Sequence, residues 1–526
     1  MLFCTFKGRP QSAKCISILI RIKREECKLI SCEIKGGIFL KKIFYILLLA
    51  VIVFQFSFLG LEYFEVVDDN NQLGIYNIVN DDITENVIKK YKAYNVRPLA
   101  FITDAYIFQH FWDNLYVLLV IILIIHVLNV FLIDRICEKI DIKLNVLCLM
   151  FFALSPILME GLYWISASTR IVISTFLSLA SIYLLLKSFD EEGKGKKIFY
   201  LISSVVLNLA CVGFYEQTVA LNLFLFSFVL ICLKKYKYLW IPGISTAWIG
   251  AWYIYFMANG QMQARGELNI SGIFGAALEL IKEVFRYYKN EYYNFMYSLG
   301  FGENILLSTV LSLALLALIG TFIYYIYKNN CSKGENKSII KKFLLGAIIF
   351  VSPFLPFLVL KDSMLALRNL YMPTLGLSIL IGVILDLILK LIKDEKLCNI
   401  IETALVSCVL ISFVTVNIAG VDNYRKVKRI DDKVVKQIVE NLDDEVFEER
   451  KTISVNYDPD ALFKYKNLSN YVQSTVESGW AVMGKIQVYR NDTSVGLVYI
   501  NSMQDEADYV LYFDEEMNLD NKISLN

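Results

Sequence analysis

The sequence predicts an all-α polytopic membrane protein that carries a small α/β domain at its C-terminal end. Three observations predict it: 56% of the 526 residues are hydrophobic, they form runs of about 16–24 residues that match a bilayer's thickness, and this pattern ends near residue 420. A soluble chain of this length would need more polar residues to cover its surface. The net charge of +1 gives no indication of a nucleic-acid partner.

The apolar runs predict about eleven transmembrane helices, which form a membrane domain over residues 43–420. The predicted helices cover residues 43–60, 114–133, 144–159, 171–186, 198–215, 217–232, 239–257, 304–327, 342–360, 371–390 and 399–419. Two connecting segments, 61–113 and 258–303, are long and rich in aromatic residues. We expect amphipathic helices of these two loops to lie in the membrane interface.

Basic residues cluster in alternate connecting segments, for example at Lys41-Lys42, Lys194–Lys197 and Lys234-Lys235. By the positive-inside rule these segments face the cytoplasm, so the N-terminus is predicted inside and the C-terminus outside. All eleven cysteines fall in predicted cytoplasmic or membrane segments, which agrees with this orientation because free thiols are a liability where oxidation occurs. The basic stretch Tyr424–Arg429 is the exception, since it would prefer the cytoplasm.

The two ends of the chain differ from the middle. Residues 1–42 are basic and form either a cytoplasmic amphipathic arm or, up to residue 38, sequence upstream of the true start. Residues 421–526 are predicted to form a soluble extracytoplasmic domain, with a polar helix over about 424–443 and strands at Lys485–Tyr489 and Val510–Phe513. The high content of Ile, Lys, Asn and Tyr favours an AT-rich bacterial genome, and hence a bacterial cytoplasmic membrane.

Charge near a membrane is energetically expensive, and the charged candidates lie at the predicted outer ends of helices. Asp68 and Asp69 follow the first helix. A carboxylate there suits a general base, and two of them suit a divalent metal, while the alternative is a solvated turn. Arg97 suits a phosphate or an acidic partner, and the alternative is an ordinary interfacial arginine.

A second group lies in the short outer turns. Glu160 and Arg170 flank one turn and either pair with each other or contact a substrate. Trp164, between them, is either an interface anchor or a platform for a sugar ring. Glu216 sits in the next outer turn between two apolar helices, where it needs a partner or water.

Further candidates precede or lie within the membrane helices. Lys361 and Arg368 are cations at an outer helix end, where they bind either an anionic lipid phosphate or ordinary headgroups. His126 and Asn129 lie within the second helix, where buried polar pairs often join helices. Orienting a substrate is the alternative role for His126.

Taken in order, these motifs resemble those of the GT-C superfamily of membrane glycosyltransferases. The likeness is to protein O-mannosyltransferase relatives with tetratricopeptide tails and to bacterial polyprenyl-phosphate-sugar glycosyltransferases. The matching positions are Asp68-Asp69, Asn95-Val96-Arg97-Pro98-Leu99, His126 with Asn129, Pro156 with Glu160, Trp164 and Arg170, and the segment Arg368–Gly376. Three features depart from the pattern: Asn369 replaces an aromatic residue, Arg97 and His126 are further apart, and the tail shows no tetratricopeptide period.

The resemblance implies transfer of a sugar, with inversion, from a polyprenyl-phosphate donor to a lipid, glycan or protein acceptor on the outer membrane face. Asp68 or Asp69 would be the general base, and together they would hold a divalent cation if one is used. The donor phosphate would be bound by Arg97, Arg170, Lys361, Arg368 and Tyr371, and the substrate would be bound or oriented by Glu160, Trp164, Glu216 and His126. The alternatives are a transporter or flippase of a lipid-linked saccharide and a non-catalytic GT-C-like membrane protein.

Overall fold

The computed structural model describes residues 41–78, 97–259, 275, 277–286, 289, 336–359, 365–392, 394–465, 473–502 and 506–525. The part before residue 442 is helical. Its helices are α1 (41–57), α2 (Val67–Ile78), α3 (Pro98–Tyr106), α4 (Leu115–Lys139), α5 (Val146–Leu154), α6 (Met159–Tyr163), α7 (Ile165–Asp190), α8 (Lys194–Val212), α9 (Gln217–Cys232), α10 (Trp240–Ala258), α11 (Asn336–Val351), α12 (Leu355–Val359), α13 (Tyr371–Leu391) and α14 (Glu395–Asn441).

The helices of the structure follow the predicted apolar runs closely. Every predicted run falls on a helix except 304–327, which lies outside the described residues. Within the described part of the chain, six helices are long and apolar enough to cross a membrane, or seven if α5 and the bent segment up to Tyr163 form one span. The predicted count of about eleven is therefore not confirmed. Helix α9 has only 16 residues, and α10 is rich in Trp and Tyr, which favour the interface over the hydrocarbon.

The predicted loops contain helices of their own. Helices α2 and α3 lie within segment 61–113, and α3 begins with Pro98, whose fixed backbone suits a first helical turn. Within 258–303, residues 277–286 are helical and expose Leu278, Ile281 and Phe285. An apolar face of this kind is typical of a helix lying in a membrane interface.

Helix α14 runs without interruption from the predicted last span into the C-terminal domain. Its first half contributes Val414 and Val421 to the core of the helical bundle, and its second half contributes Val434 and Ile438 to the core of the domain. One rigid helix thus joins the two predicted regions, and no linker separates them at residue 420.

Three of the four cations in the basic stretch of α14 pair with nearby carboxylates. Arg425 and Lys426 pair with Asp422 one turn earlier, and Lys428 pairs with Glu65 at 2.8 Å and with Asp432 at 3.2 Å. Since Glu65 precedes α2, these pairs place the first loop and the C-terminal domain at the same end of the bundle. Pairing removes much of the stretch's preference for an anionic cytoplasmic surface.

The C-terminal domain is an α/β unit, as predicted. It contains α15 (Asp444–Glu448), β1 (Ile453–Tyr457), α16 (Pro459–Tyr465), α17 (Gly479–Arg490), β2 (Val498–Ile500), β3 (Tyr509–Phe513) and β4 (Leu519–Ser524). The four strands have the order β2-β1-β3-β4, with β1 parallel to both neighbours and β4 antiparallel to β3. Strand β1 is buried along its whole length, as the central strand of a covered parallel sheet should be.

One predicted strand is wrong. Lys485–Tyr489 lies within helix α17, whereas Val510–Phe513 is confirmed as part of β3. The buried residues of α17 include Ala481, Val482, Lys485 and Ile486, which recur with the spacing of a helix face. The local alternation of Lys485–Tyr489 was too short to reveal that longer period.

Candidate active site at one end of the bundle

A sharp break between α5 and α7 creates the centre of the candidate site. Pro156 opens a short 3-10 turn after α5, α6 follows for five residues, and Trp164 adopts an extended backbone before α7 begins. The chain bends by 40° at the Pro156 break. This geometry places Glu160, Trp164 and the first turn of α7 together at one end of the bundle. Helix α1 ends there, and helices α9 and α13 begin there.

The two aspartates of α2 have different surroundings. Asp69 is fully buried: its carboxylate accepts hydrogen bonds from the Tyr63 hydroxyl and from the Ser166 backbone N–H at 2.8 Å. Burial raises the pKa of Asp69 to about 7, although these hydrogen bonds oppose that rise. Asp68 is only half-buried, and it forms no ion pair within the described residues.

Asp68 lies within electrostatic range of a charged pair from two other elements. Arg368, just before α13, donates to the carboxylate of Glu160, and its guanidinium lies over the Trp164 ring at 4.4 Å from the centroid. Asp68 is close enough to interact electrostatically with both Glu160 and Arg368. One acid, one ion pair and one aromatic ring therefore meet at this point.

Arg97 forms the second pair of the site. Its guanidinium donates to both oxygens of Glu216, at 2.7 and 2.5 Å, and lies 4.5 Å from the centroid of the Tyr215 ring. Burial raises the pKa of Glu216, but the Arg97 charge outweighs burial and holds that pKa below its ordinary range. Asn369 connects the two pairs, because its amide donates to the Tyr215 hydroxyl at 2.5 Å.

Arg170 forms the third pair, with a residue that sequence reasoning missed. It donates to Asp104 at 2.8 Å and to the backbone oxygen of Ser166. Asp104 lies on α3, seven residues after Arg97 and so on the same helix face, and it is buried. The seven-residue spacing from Arg97 was the signal in the sequence that could have indicated Asp104. Glu160 and Arg170 do not pair with each other, so the predicted alternative of an ion pair between them is wrong.

Two predicted site residues lie in the bundle interior instead. The Tyr371 hydroxyl is 2.8 Å from His126 Nδ1 and 3.1 Å from Asn129 Nδ2, and His126 Nε2 is 3.1 Å from the Ala153 carbonyl oxygen. All three side chains are fully buried. The geometry therefore gives His126 a role in joining helices rather than in orienting a substrate, and it removes Tyr371 from the donor phosphate. Lys361 lies outside the described residues.

The acidic pair does not fit a shared metal ion. The oxygens of Asp69 already accept hydrogen bonds from the protein, and Asp68 is within electrostatic range of Glu160 and Arg368. Across the part of the chain that the structure describes, no group of three or more His, Cys, Asp or Glu is arranged to hold a metal.

Comparison with known proteins adds no family. No family model and no curated protein matches the chain. The case for a function therefore depends on the arrangement of Asp68, Glu160, Trp164, Arg368 and the two neighbouring arginine pairs.

Proposed function

We propose that this chain is a GT-C-type membrane glycosyltransferase. It would transfer a sugar, with inversion, from a polyprenyl-phosphate donor to a lipid, glycan or protein acceptor on the outer face of a bacterial cytoplasmic membrane. The observation that carries the proposal is the grouping of Asp68, Glu160, Trp164 and Arg368 at one end of the bundle, from three separate segments. A base, a cation and an aromatic surface are the groups that transfer from a lipid phosphate requires.

Asp68, rather than Asp69, is the candidate base. Its half-buried carboxylate has no ion pair within the described residues, whereas the oxygens of Asp69 are engaged by Tyr63 and Ser166. In the proposed step Asp68 takes the proton of an acceptor hydroxyl. The hydroxyl oxygen bonds to the anomeric carbon as the bond from that carbon to the phosphate oxygen breaks, and the phosphate leaves with the electron pair.

Arg368 is the candidate partner of the leaving phosphate. A guanidinium has five N–H donors in a rigid fork, so Arg368 can retain Glu160 and still donate to a phosphate oxygen. Glu160 and the Trp164 ring fix the direction of that fork. Arg97 and Arg368 both interact electrostatically with Tyr215, and Arg97 and Arg170 both interact with Glu216. Arg97 and Arg170 therefore add positive charge near Arg368.

One observation favours a second candidate, a non-catalytic GT-C-like membrane protein. Each of Arg97, Arg170 and Arg368 is already paired with a carboxylate, as in a purely structural network. Such a protein would keep these pairs for stability and bind no donor phosphate.

The test is a transfer assay in membranes that contain the overexpressed chain, with radiolabelled polyprenyl-phosphate sugars. We expect label to enter an acceptor, and we expect the double variant Asp68→Asn, Asp69→Asn to insert normally and transfer nothing. The matched control is Lys282→Gln, since Lys282 is exposed on the 277–286 helix. Normal incorporation in the double variant contradicts the mechanism. Label that crosses the bilayer without transfer would indicate a flippase.

A further inference from the structure

We propose that the C-terminal domain is a positioning element for Asp68, acting through helix α2. This inference rests on the proposed function, because it concerns how the proposed base is aimed. The first turn of α2 carries both aspartates, and α2 has only 12 residues. A helix of that length is marginal alone, so its orientation must come from what it packs against.

Helix α2 packs directly on α17 of the domain, with two glycines at the crossing. A Cβ added to Gly74 would lie 2.9 Å from the backbone oxygen of Gly484, and a Cβ added to Gly484 would lie 2.7 Å from Asn71 Cα. These distances are shorter than any Cβ contact tolerates without movement of backbone. The two glycines therefore allow α2 and α17 to approach more closely than an alanine at either position would permit.

A buried hydrogen-bond chain fixes the start of α2. The Asn70 amide donates to the Thr475 hydroxyl at 2.8 Å and to the Val66 carbonyl. Thr475 N–H and the Ser474 hydroxyl in turn donate to Asp431 of α14, at 2.9 and 2.5 Å. All five residues are buried, so a lost partner leaves an unsatisfied polar group. Asn70 is directly next to the two aspartates, and this chain ties it to the domain.

Charged pairs hold the same junction from its outer side. Lys428 bridges Glu65, before α2, and Asp432 of α14, and Lys485 of α17 pairs with Asp432 at 2.7 Å. The bundle side is held by Tyr63, whose ring stacks on Tyr163 at 4.8 Å and whose hydroxyl donates to Asp69. The first turn of α2, which carries Asp68, is thus held by the C-terminal domain on one side and by the helical bundle on the other. Gly484, Asn70 and Thr475 are positioning residues, since none of them is placed against substrate.

The experiment compares Gly484→Ala with Val488→Ala in the full chain, reconstituted in lipid nanodiscs. Val488 lies on the same helix but is exposed, so it controls for changes to α17. We expect kcat for sugar transfer to fall about 10- to 100-fold in Gly484→Ala, with KM for the donor within two-fold, because a small misplacement of a catalytic group affects the chemical step. Amide hydrogen exchange of residues 67–78 should rise in the same variant.

A second pair keeps the proposal testable if Gly484→Ala fails to fold. Thr475→Val removes the hydroxyl that accepts from Asn70, and Thr475→Ser restores it. We expect the valine variant to lose kcat and the serine variant to regain it. Faster exchange of α2 with unchanged kcat overturns the inference and leaves the proposed function standing. Exchange of α2 that does not change in the variants also overturns the inference and leaves the proposed function standing. A wild-type protein that transfers no sugar overturns the proposed function and this inference with it.

Discussion

The two ends of the helical bundle solve the problem of buried charge in different ways. At the end opposite the candidate site, lysines pair with aspartates: Lys41 with Asp134, and Lys342 with Asp386 at 2.8 Å. At the candidate site, arginines pair with carboxylates and also lie over the rings of Trp164 and Tyr215. A lysine is a compact point charge with three donors, whereas an arginine has five donors in a planar fork and can retain a carboxylate while donating elsewhere.

The acid balance differs as well. The buried aspartates of the lysine end, such as Asp134, are matched by a cation and by the Tyr45 hydroxyl. At the arginine end, Asp68 remains without an ion pair among the described residues. We therefore interpret the lysine end as stabilising the helix packing. The arginine end has donors and a carboxylate that can bind and react with a substrate. The predictions below test this distinction.

The largest stability effect should come from the lysine end. Asp386→Ala leaves Lys342, which is buried, without its counter-charge. We expect a loss of about 3–5 kcal/mol in the free energy of unfolding. Thermal unfolding of the detergent-purified protein measures it. The double variant Lys342→Met, Asp386→Leu should recover most of the loss, and failure to recover would show that the pair does more than fasten helices.

A smaller effect should follow from Arg97→Lys at the arginine end. The substitution keeps the charge but removes the two-point contact with Glu216 and the stacking on Tyr215. We expect a loss of about 1–2 kcal/mol in stability, measured by the same unfolding assay. Lys282→Arg, at an exposed i,i+3 pair, is the control and should change nothing. Equal stability of Arg97→Lys and wild type would contradict a role for the fork geometry.

A third prediction concerns pH. Because burial raises the pKa of Asp69 to about 7, the folded protein keeps a proton between about pH 4 and 7 that the unfolded chain has released. The contribution of Asp69 to stability should therefore fall as pH rises through this window and level off above about pH 7. The difference in unfolding midpoint between wild type and Asp69→Asn, followed from pH 4.5 to 8.5, measures it. A difference that does not change with pH would contradict the buried, protonatable state of Asp69.

Sequence reasoning located the candidate site but not its partners. The positions Asp68, Glu160, Trp164 and Arg368, which are predicted at outer helix ends, lie at the same end of the bundle, because helix ends that follow alternate spans share one end. The pairings themselves join residues as far apart as Glu160 and Arg368, which are 208 positions distant. Such contacts depend on how the helices pack, so the spacing of residues along the sequence does not predict them.

Two further failures have similar physical reasons. The dipeptide Asp68-Asp69 cannot show which carboxylate turns inward, because adjacent helical positions differ by about 100° in direction. A histidine on an apolar helix is compatible with a substrate or with a packed neighbour, and Tyr371 supplied that neighbour for His126 from a distant helix. The C-terminal sheet was predicted where an apolar strand was short and dense, as in β3.

The most direct test of the central claim is the turnover of Asp68→Asn and Asp69→Asn, measured separately with a labelled polyprenyl-phosphate sugar. Loss of a positioned base costs about 10²- to 10⁴-fold, so we expect that loss in Asp68→Asn. Asp69→Asn should keep turnover within about ten-fold of wild type, because an amide resembles the protonated acid that burial favours. Wild-type turnover in Asp68→Asn, or an equal loss in both variants, would contradict the account.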